Sequence, residues 1–225
     1  TKIAYLIEKE NVDPFRILSV TFTKKAANEM RQRAIVMNEK AALSNIRTFH
    51  SFGSWFLRKY YDVANLEQTF TVYDDDDVVT LVKKSCPSLS TKEAKIAAKQ
   101  IALAKDYCLL PEDDLSIVGS EFDLNEIYSS YQKRLVATGN VDFGDLILKP
   151  VQLIHENPQI ASYIQNRFGV IMVDEYQDSN IAQYKLLQAV SGVDNSNSIA
   201  KNYVCVVGDD DQSIYKFRGA EVQNI

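Results

Sequence analysis

Cysteine is scarce and scattered in this sequence: Cys86, Cys108 and Cys205 are odd in number and widely spaced. That argues against a disulfide framework and suits a reducing compartment, so a cytoplasmic location is expected. Only two histidines occur, His50 and His155, far from each other and from any cysteine pair, which argues against a structural zinc site. Glycine and proline number eight and five, too few for a collagen-like or fibrous chain. The longest apolar runs are a few residues, so no segment spans a membrane and none reads as a signal peptide. Positive charge is not in excess either. The net charge of −5 excludes bulk attraction to nucleic acid and leaves only local patches. Last, no Gly-x-x-x-x-Gly-Lys-Ser/Thr phosphate loop is present; the nearest approach, Gly139 with Gly144, is followed by Asp145.

What is there supports a sizeable core. With 225 residues and 46% hydrophobic content, the chain suits one large domain or two small ones. Four short runs, 17–22, 45–49, 170–173 and 203–207, are apolar on both faces and read as buried parallel strands. Helical spacing follows them. Ala26, Ala27, Met30, Ala34 and Met37 recur after the first run, with Thr23 placed to cap. Phe52, Phe56 and Tyr60 follow Ser51, and Ile181, Tyr184, Leu187 and Ala189 follow the third run. Strand-then-helix repetition predicts an α/β layered domain. The middle differs: beyond 69–73 it shows little strand signal and mostly helical pattern, in 92–106 and 121–137, with Asp74 to Asp77 as an acidic first turn. The reading is a discontinuous α/β domain, 1–65 and 149–225, interrupted by an all-helical insertion, 66–148.

Asp174 and Glu175 stand directly after the run Val170 to Val173, where doubly wound sheets bind ligands. There one carboxylate can hold Mg²⁺ and the next can orient a water against a terminal phosphate. A lone Asp-Glu pair reads more often as a helix cap with an acidic first turn. A second strand end changes the balance: the stretch 206–220 adds Asp209 to Asp211, then Gln212, Tyr215, Phe217 and Arg218. An amide followed by alternating aromatic and cationic groups suggests a ligand surface. The stretch 23–33 carries four cations against one acid, which alone reads as a solvated helix face.

Asp174-Glu-Tyr-Gln-Asp-Ser-Asn180 and Val207-Gly-Asp-Asp-Asp-Gln-Ser-Ile-Tyr-Lys-Phe-Arg-Gly-Ala220 resemble motifs II and III of the UvrD/Rep/PcrA superfamily 1 DNA helicases. Thr21-Phe-Thr-Lys-Lys-Ala-Ala-Asn-Glu-Met30 is similar to motif Ia and Thr48-Phe-His-Ser-Phe52 to motif Ib. Val141-Asp-Phe-Gly-Asp-Leu146 resembles the segment returning from the family's helical insertion. The resemblance implies a RecA-like parallel sheet with helices on both faces. It also implies an ATP-dependent 3′-to-5′ DNA helicase acting on single strands and single/double-strand junctions, in repair or replication restart.

Carried onto residues, the resemblance gives Asp174 to the Mg²⁺ of Mg-ATP, Glu175 to the hydrolytic water and Gln212 to the γ-phosphate. Phe22, Thr23, Lys24, Thr48, His50, Ser51, Tyr215, Phe217 and Arg218 would line the single-stranded DNA path. Phe22 reads equally as an ordinary strand residue, and His50 as a histidine packed beside Trp55; Tyr176 reads as packing. Lys24 stands where the family usually has Asn, and Phe217 where Trp is common. Thr1 to Ile7 is similar to the helix after the family's phosphate loop. The expectation is a fragment without that loop or a second motor domain, and so without significant DNA-stimulated ATP hydrolysis of its own. Three other readings remain: a RecB- or AddA-like helicase-nuclease subunit, a Mg²⁺-dependent nuclease built on the acid clusters, and a non-catalytic single-strand-binding module. The nuclease reading is weakened because the acid clusters follow different strands.

Overall fold

A computed structural model describes residues 2–119, 123–193 and 202–209. Strand β1 (Ile17–Thr21) is buried along its whole length, as a strand covered on both faces must be. It pairs in parallel with β2 (Asn45–Thr48) and with β5 (Val170–Val173), and β5 pairs in parallel with β6 (Tyr203–Val206). The sheet order is β2-β1-β5-β6. All four runs read as strands in the sequence therefore share one parallel sheet, but β6, expected to be buried, is largely exposed because it pairs on one side only among the described residues.

Side-chain alternation divides this sheet between two cores. Leu18, Val20, Ile171 and Val173 face one core, while Ile17, Ile46 and Val170 face the other. The second core is closed by α1 (Lys2–Glu8) and α2 (Lys24–Met37), through Ile3, Leu6, Ile7, Ala27 and Ala34. The first is closed by α3 (Phe49–Lys59), α7 (Asp145–Glu156), α8 (Pro158–Arg167) and α9 (Ile181–Ser191).

Gly53 sets the α3–α7 crossing. A Cβ on it would lie 1.7 Å from the Leu146 carbonyl oxygen, so only glycine lets the helices meet there. Pro150, four residues on in α7, has no N–H to offer that same carbonyl.

Between β2 and β5 the chain forms α4 (Asp75–Ser85), α5 (Thr91–Asp106) and α6 (Leu124–Ala137). These helices share their own core, built on Val82, Ala97, Ile101, Tyr128, Tyr131 and Leu135. The acidic run behaves as its chemistry dictates: Asp74 caps α4 and Asp75 to Asp77 fill its first turn. The described part of the middle segment consists of helices and turns except at its neck. There β3 (Val72–Tyr73) and β4 (Val141–Asp142) form a two-residue parallel ladder where the chain leaves and returns. Leu66, Phe70, Val141, Leu146 and Ile147 pack with the core of the main sheet.

Two element ends differ from the sequence reading. Phe22 lies beyond β1, and Phe49 opens α3 instead of closing β2. The reason is Thr48: its side chain accepts from the Ser51 N–H while Ser51 bonds back, and this reciprocal cap starts the helix two residues before Ser51.

Candidate active site and nucleic-acid face

The carboxyl end of β5 is where the chain turns sharply. Asp174 N–H still donates to the Val20 carbonyl at 3.1 Å, extending the ladder by one rung. Glu175 then adopts φ 54°, ψ 41°, left-handed geometry that costs a non-glycine residue on the order of 1–3 kcal/mol. A one-turn 3₁₀ helix, Tyr176–Asp178, follows. Tyr176 is buried in the core, as its reading as packing required, and its N–H donates to the Val207 carbonyl at 2.9 Å.

This turn leaves two carboxylates side by side. Burial, and then the charge of Glu175, raises the Asp174 carboxyl above the ordinary aspartate range. Neither acid has an ion-pair partner among the described residues. Gln177, buried beneath them, donates to Glu175 Oε2 at 2.7 Å and accepts from the Asp209 N–H at 2.9 Å. The two strand ends singled out in the sequence are thus joined by one amide. Gly208 permits the contact, since a Cβ there would lie 2.7 Å from Gln177 Oε1.

The donor set fits Mg²⁺ bound with a nucleotide. Such an ion takes one or two protein carboxylates plus phosphates and waters, not a closed protein cage. Asp174 provides a half-buried carboxylate lacking a counter-charge, and the Thr21 hydroxyl, one rung away on β1, is buried without a partner. Among the described residues no cluster of three or more His, Cys, Asp or Glu forms a metal cage.

The remaining candidates among the described residues lie at or just beyond the ends of β1 and β2. Thr23 and Lys24 are exposed at the start of α2, where Thr23 accepts from the Ala26 N–H at 3.0 Å. Thr48 is buried and bonded to Ser51, so both hydroxyls serve the cap of α3. Phe22 lies 5.4 Å from Phe49, centroid to centroid, and packs on the core. His50 lies on the first turn of α3, half-buried. Its neighbour is not Trp55: the imidazole stacks on Phe143, centroids 3.7 Å apart and planes 20° off parallel. Trp55 instead packs on Phe52 and Phe168. Burial lowers the His50 pKa to about 4, so its ring is neutral at pH 7. Gln212, Tyr215, Phe217 and Arg218 lie outside the described residues.

Sequence reading missed two residues. Phe143 is 58% exposed, an aromatic ring presented beside His50. Beneath it Lys105 is fully buried, its ammonium 2.6 Å from Asp142 and 2.7 Å from Asp145. Tyr131 donates to the same Asp142 carboxylate at 2.7 Å, and the Asp145 N–H bonds Asp142 Oδ1 at 2.8 Å. Burial alone would strip the lysine proton, but the two carboxylates hold it above the ordinary lysine range. The signal was present: Lys105 falls four residues after Ile101 and seven after Ala98, on the buried face of α5. Asp106, the next residue, accepts from Asn180 Nδ2 at 2.8 Å, and Asn180 caps α9 just beyond the acidic turn.

A four-stranded parallel sheet whose inner strands β1 and β5 are covered on both faces, with paired carboxylates at its carboxyl edge, defines an α/β domain of the RecA-like motor type. The particular family is equally plain. All of the chain, residues 1–225, matches the UvrD/REP helicase N-terminal domain, and the chain belongs to that family. It is similar to the ATP-dependent DNA helicase UvrD1 of Mycobacterium tuberculosis, with 38% identity over 235 residues, covering 100% of this chain and 30% of the relative. Against the ATP-dependent DNA helicase PcrA of Bacillus subtilis the identity is 34% over 233 residues, with 100% and 30% covered. For PcrA of Staphylococcus aureus it is 36% over 232 residues, with 100% and 31% covered. The chain thus spans about a third of the length of these relatives. No helix among the described residues is long and apolar enough to cross a membrane.

Proposed function

We propose that this chain belongs to the first motor domain of an ATP-dependent DNA helicase that translocates 3′-to-5′ on single-stranded DNA and opens duplex at junctions. The domain comprises 1–65 and 149–225, with 66–148 as the inserted subdomain. The observation that carries the reading is the Glu175–Gln177–Asp209 connection, which fixes an acidic pair at the sheet's carboxyl edge. When bound, Mg-ATP supplies the phosphoanhydride to be cleaved. Asp174 offers its carboxylate to the ion, and Glu175, held by Gln177, accepts a proton from the attacking water. Gln212 reports on the γ-phosphate.

The nucleic-acid face combines Thr23 and Lys24, the first turn of α3, and Tyr215, Phe217 and Arg218. Phe143 joins it, as an exposed ring already stacked on His50. Aromatic faces accept any base and hydroxyls meet phosphates, so binding is independent of sequence. The test uses the full-length protein: phosphate release with and without single-stranded DNA, and strand displacement on 3′-tailed and 5′-tailed duplexes. Stimulated hydrolysis and opening of 3′-tailed duplex are expected, both lost in Glu175→Gln. Hydrolysis indifferent to DNA, or opening of only the 5′-tailed duplex, overturns the reading.

A further inference from the structure

One cationic surface is not absorbed by this function. It runs along the outer edge strand β2 and down the groove between α3 and α8. Arg31 reaches from α2 to donate to the Ile46 carbonyl at 2.6 Å, covering the free edge of β2. Next along that strand, Arg47 lies over the Trp55 ring, its Cζ 5.5 Å from the centroid. Trp55 meets Phe168 edge-on at 6.0 Å, and Arg167 immediately precedes that phenylalanine. One turn along each helix the pattern repeats. Lys59 lies four residues after Trp55, Tyr163 four residues before Arg167, and Lys59 Nζ sits 4.4 Å from the Tyr163 ring centroid. Each helix therefore presents one aromatic and one cation, and the two helices present them crossed.

The cations of this surface lack counter-charges. None of Arg31, Arg47, Lys59 or Arg167 has an ion-pair partner among the described residues. Yet the chain holds 30 acids against 25 bases, so acids were available. Arg47 is half-buried and feels the charges of Arg31 and Arg167, and the Arg167 Nε is buried without an acceptor. Like charges held together in a partly desolvated setting are stabilised by an anion that bridges them.

We propose that this surface binds the phosphate backbone of single-stranded nucleic acid, extending the proposed DNA face from Thr48 and His50 around the sheet edge. The extension rests on the DNA-binding reading above. Two observations favour a nucleic-acid strand over an acidic protein segment. The surface borders that face, because Arg47 lies over Trp55 on α3, the helix whose first turn carries His50. It also alternates cations with half-buried and exposed rings, Trp55 and Tyr163, which suit stacked bases and serve no purpose for carboxylates. The strand would run from the carboxyl end of the sheet toward its amino end, along the axis of α3.

Fluorescence anisotropy with labelled oligonucleotides of increasing length, over a salt series, tests this in the full-length protein. In the wild type, affinity should go on rising with length after the His50 face is filled. In the variant Arg47→Gln/Arg167→Gln it should level off at shorter lengths, and the salt slope on long oligonucleotides should fall by about 1.4, roughly 0.7 per lost phosphate contact. Lys59→Gln, a change at an exposed helix end that cannot disturb the core, should lower the slope by about 0.7. Unchanged slopes and length dependence in both variants, with the wild type binding DNA, overturn the extension alone. A wild type that binds no single strand overturns the DNA-binding reading and the extension together. Binding of poly-glutamate that these substitutions abolish, with DNA binding intact, assigns the surface to an acidic protein and also overturns the proposal.

Discussion

Gln177 spans two strand ends, donating to Glu175 at 2.7 Å and accepting from the Asp209 N–H at 2.9 Å. The side chain is buried, so it holds the Glu175 carboxylate while keeping the chain after β6 against the acidic turn. Gln177→Leu keeps approximate volume and removes both bonds. In the full-length protein it is expected to lower DNA-stimulated ATP hydrolysis about 10–100-fold, the usual cost of losing a residue that orients a functional group. Steady-state phosphate release should show the loss in kcat, with KM for ATP little changed. A loss confined to KM would mean that Gln177 serves nucleotide binding.

The acidic pair separates into two behaviours. Glu175→Gln should reduce hydrolysis by about 10²–10⁴ while a fluorescent ATP analogue still binds, because only proton acceptance is removed. Asp174→Asn should weaken the Mg²⁺-dependent part of nucleotide binding and yet stabilise the fold. The sign follows from proton uptake. Burial and Glu175 raise Asp174 above the ordinary aspartate value of 3.8, so the folded state holds that proton more tightly than the unfolded chain does. Stability associated with it is present below 3.8 and lost as pH rises through the raised value. At pH 7 the asparagine variant should melt at a higher temperature than the wild type. The gap should close in acid.

His50 has the opposite sign. Its pKa falls from 6.5 to about 4 because burial disfavours the imidazolium. Stability from the neutral ring is fully present above 6.5 and lost as pH falls from 6.5 toward 4, where the unfolded chain takes up the proton first. Urea unfolding of wild type and His50→Gln across that window should converge as the pH falls. Single-strand binding should show no titration by His50 between pH 6 and 8, since the ring meets DNA uncharged. A titration there that His50→Gln removes would mean that the ring is accessible to protonation.

Gly53→Ala tests the α3–α7 crossing. The added methyl meets backbone, not a flexible side chain, at 1.7 Å from the Leu146 oxygen, so one helix must move. Overpacking of this kind costs about 1–3 kcal/mol, visible in thermal melting. Because α7 starts two residues after Phe143, weaker single-strand binding should accompany the loss.

Local chemistry was legible in the sequence where a residue acts on its own neighbours. Thr23 caps α2, Asp74 caps α4, and the four apolar runs are strands, each decided within a few residues. The acidic turn was legible as two separate strand ends, but not the amide joining them. Gln177 and Asp209 are 32 residues apart, and no spacing rule connects them. Of the ladder of β3 and β4 only the strand signal at 69–73 was legible; its pairing with Val141–Asp142 was not, being set by where a long excursion returns. Of the two readings of His50, the packing one named Trp55 as its neighbour, whereas the ring stacks on Phe143, because proximity in sequence stood in for proximity in space.

Lys105 makes the last prediction, and the choice of variants decides its meaning. The ammonium is fully buried between Asp142 and Asp145, which flank Phe143 in the returning segment. Against burial, Lys105 and the Tyr131 hydroxyl hold Asp142 below the usual aspartate range; burial and the charge of Asp142 push Asp145 above it. Removing the lysine alone leaves two desolvated carboxylates facing each other. Lys105→Met should therefore destabilise by about 3–5 kcal/mol, most of it the cost of unpaired buried charge. The triple change Lys105→Met/Asp142→Asn/Asp145→Asn removes that charge and should recover a large part of the loss in denaturant unfolding. DNA binding should not recover with it. Once the ionic link from α5 to 142–145 is gone, Phe143 loses its fixed place against His50, and single-strand affinity should stay low in a refolded protein. Recovery of both stability and affinity in the triple variant would make the lysine a packing element with no part in presenting the aromatic face.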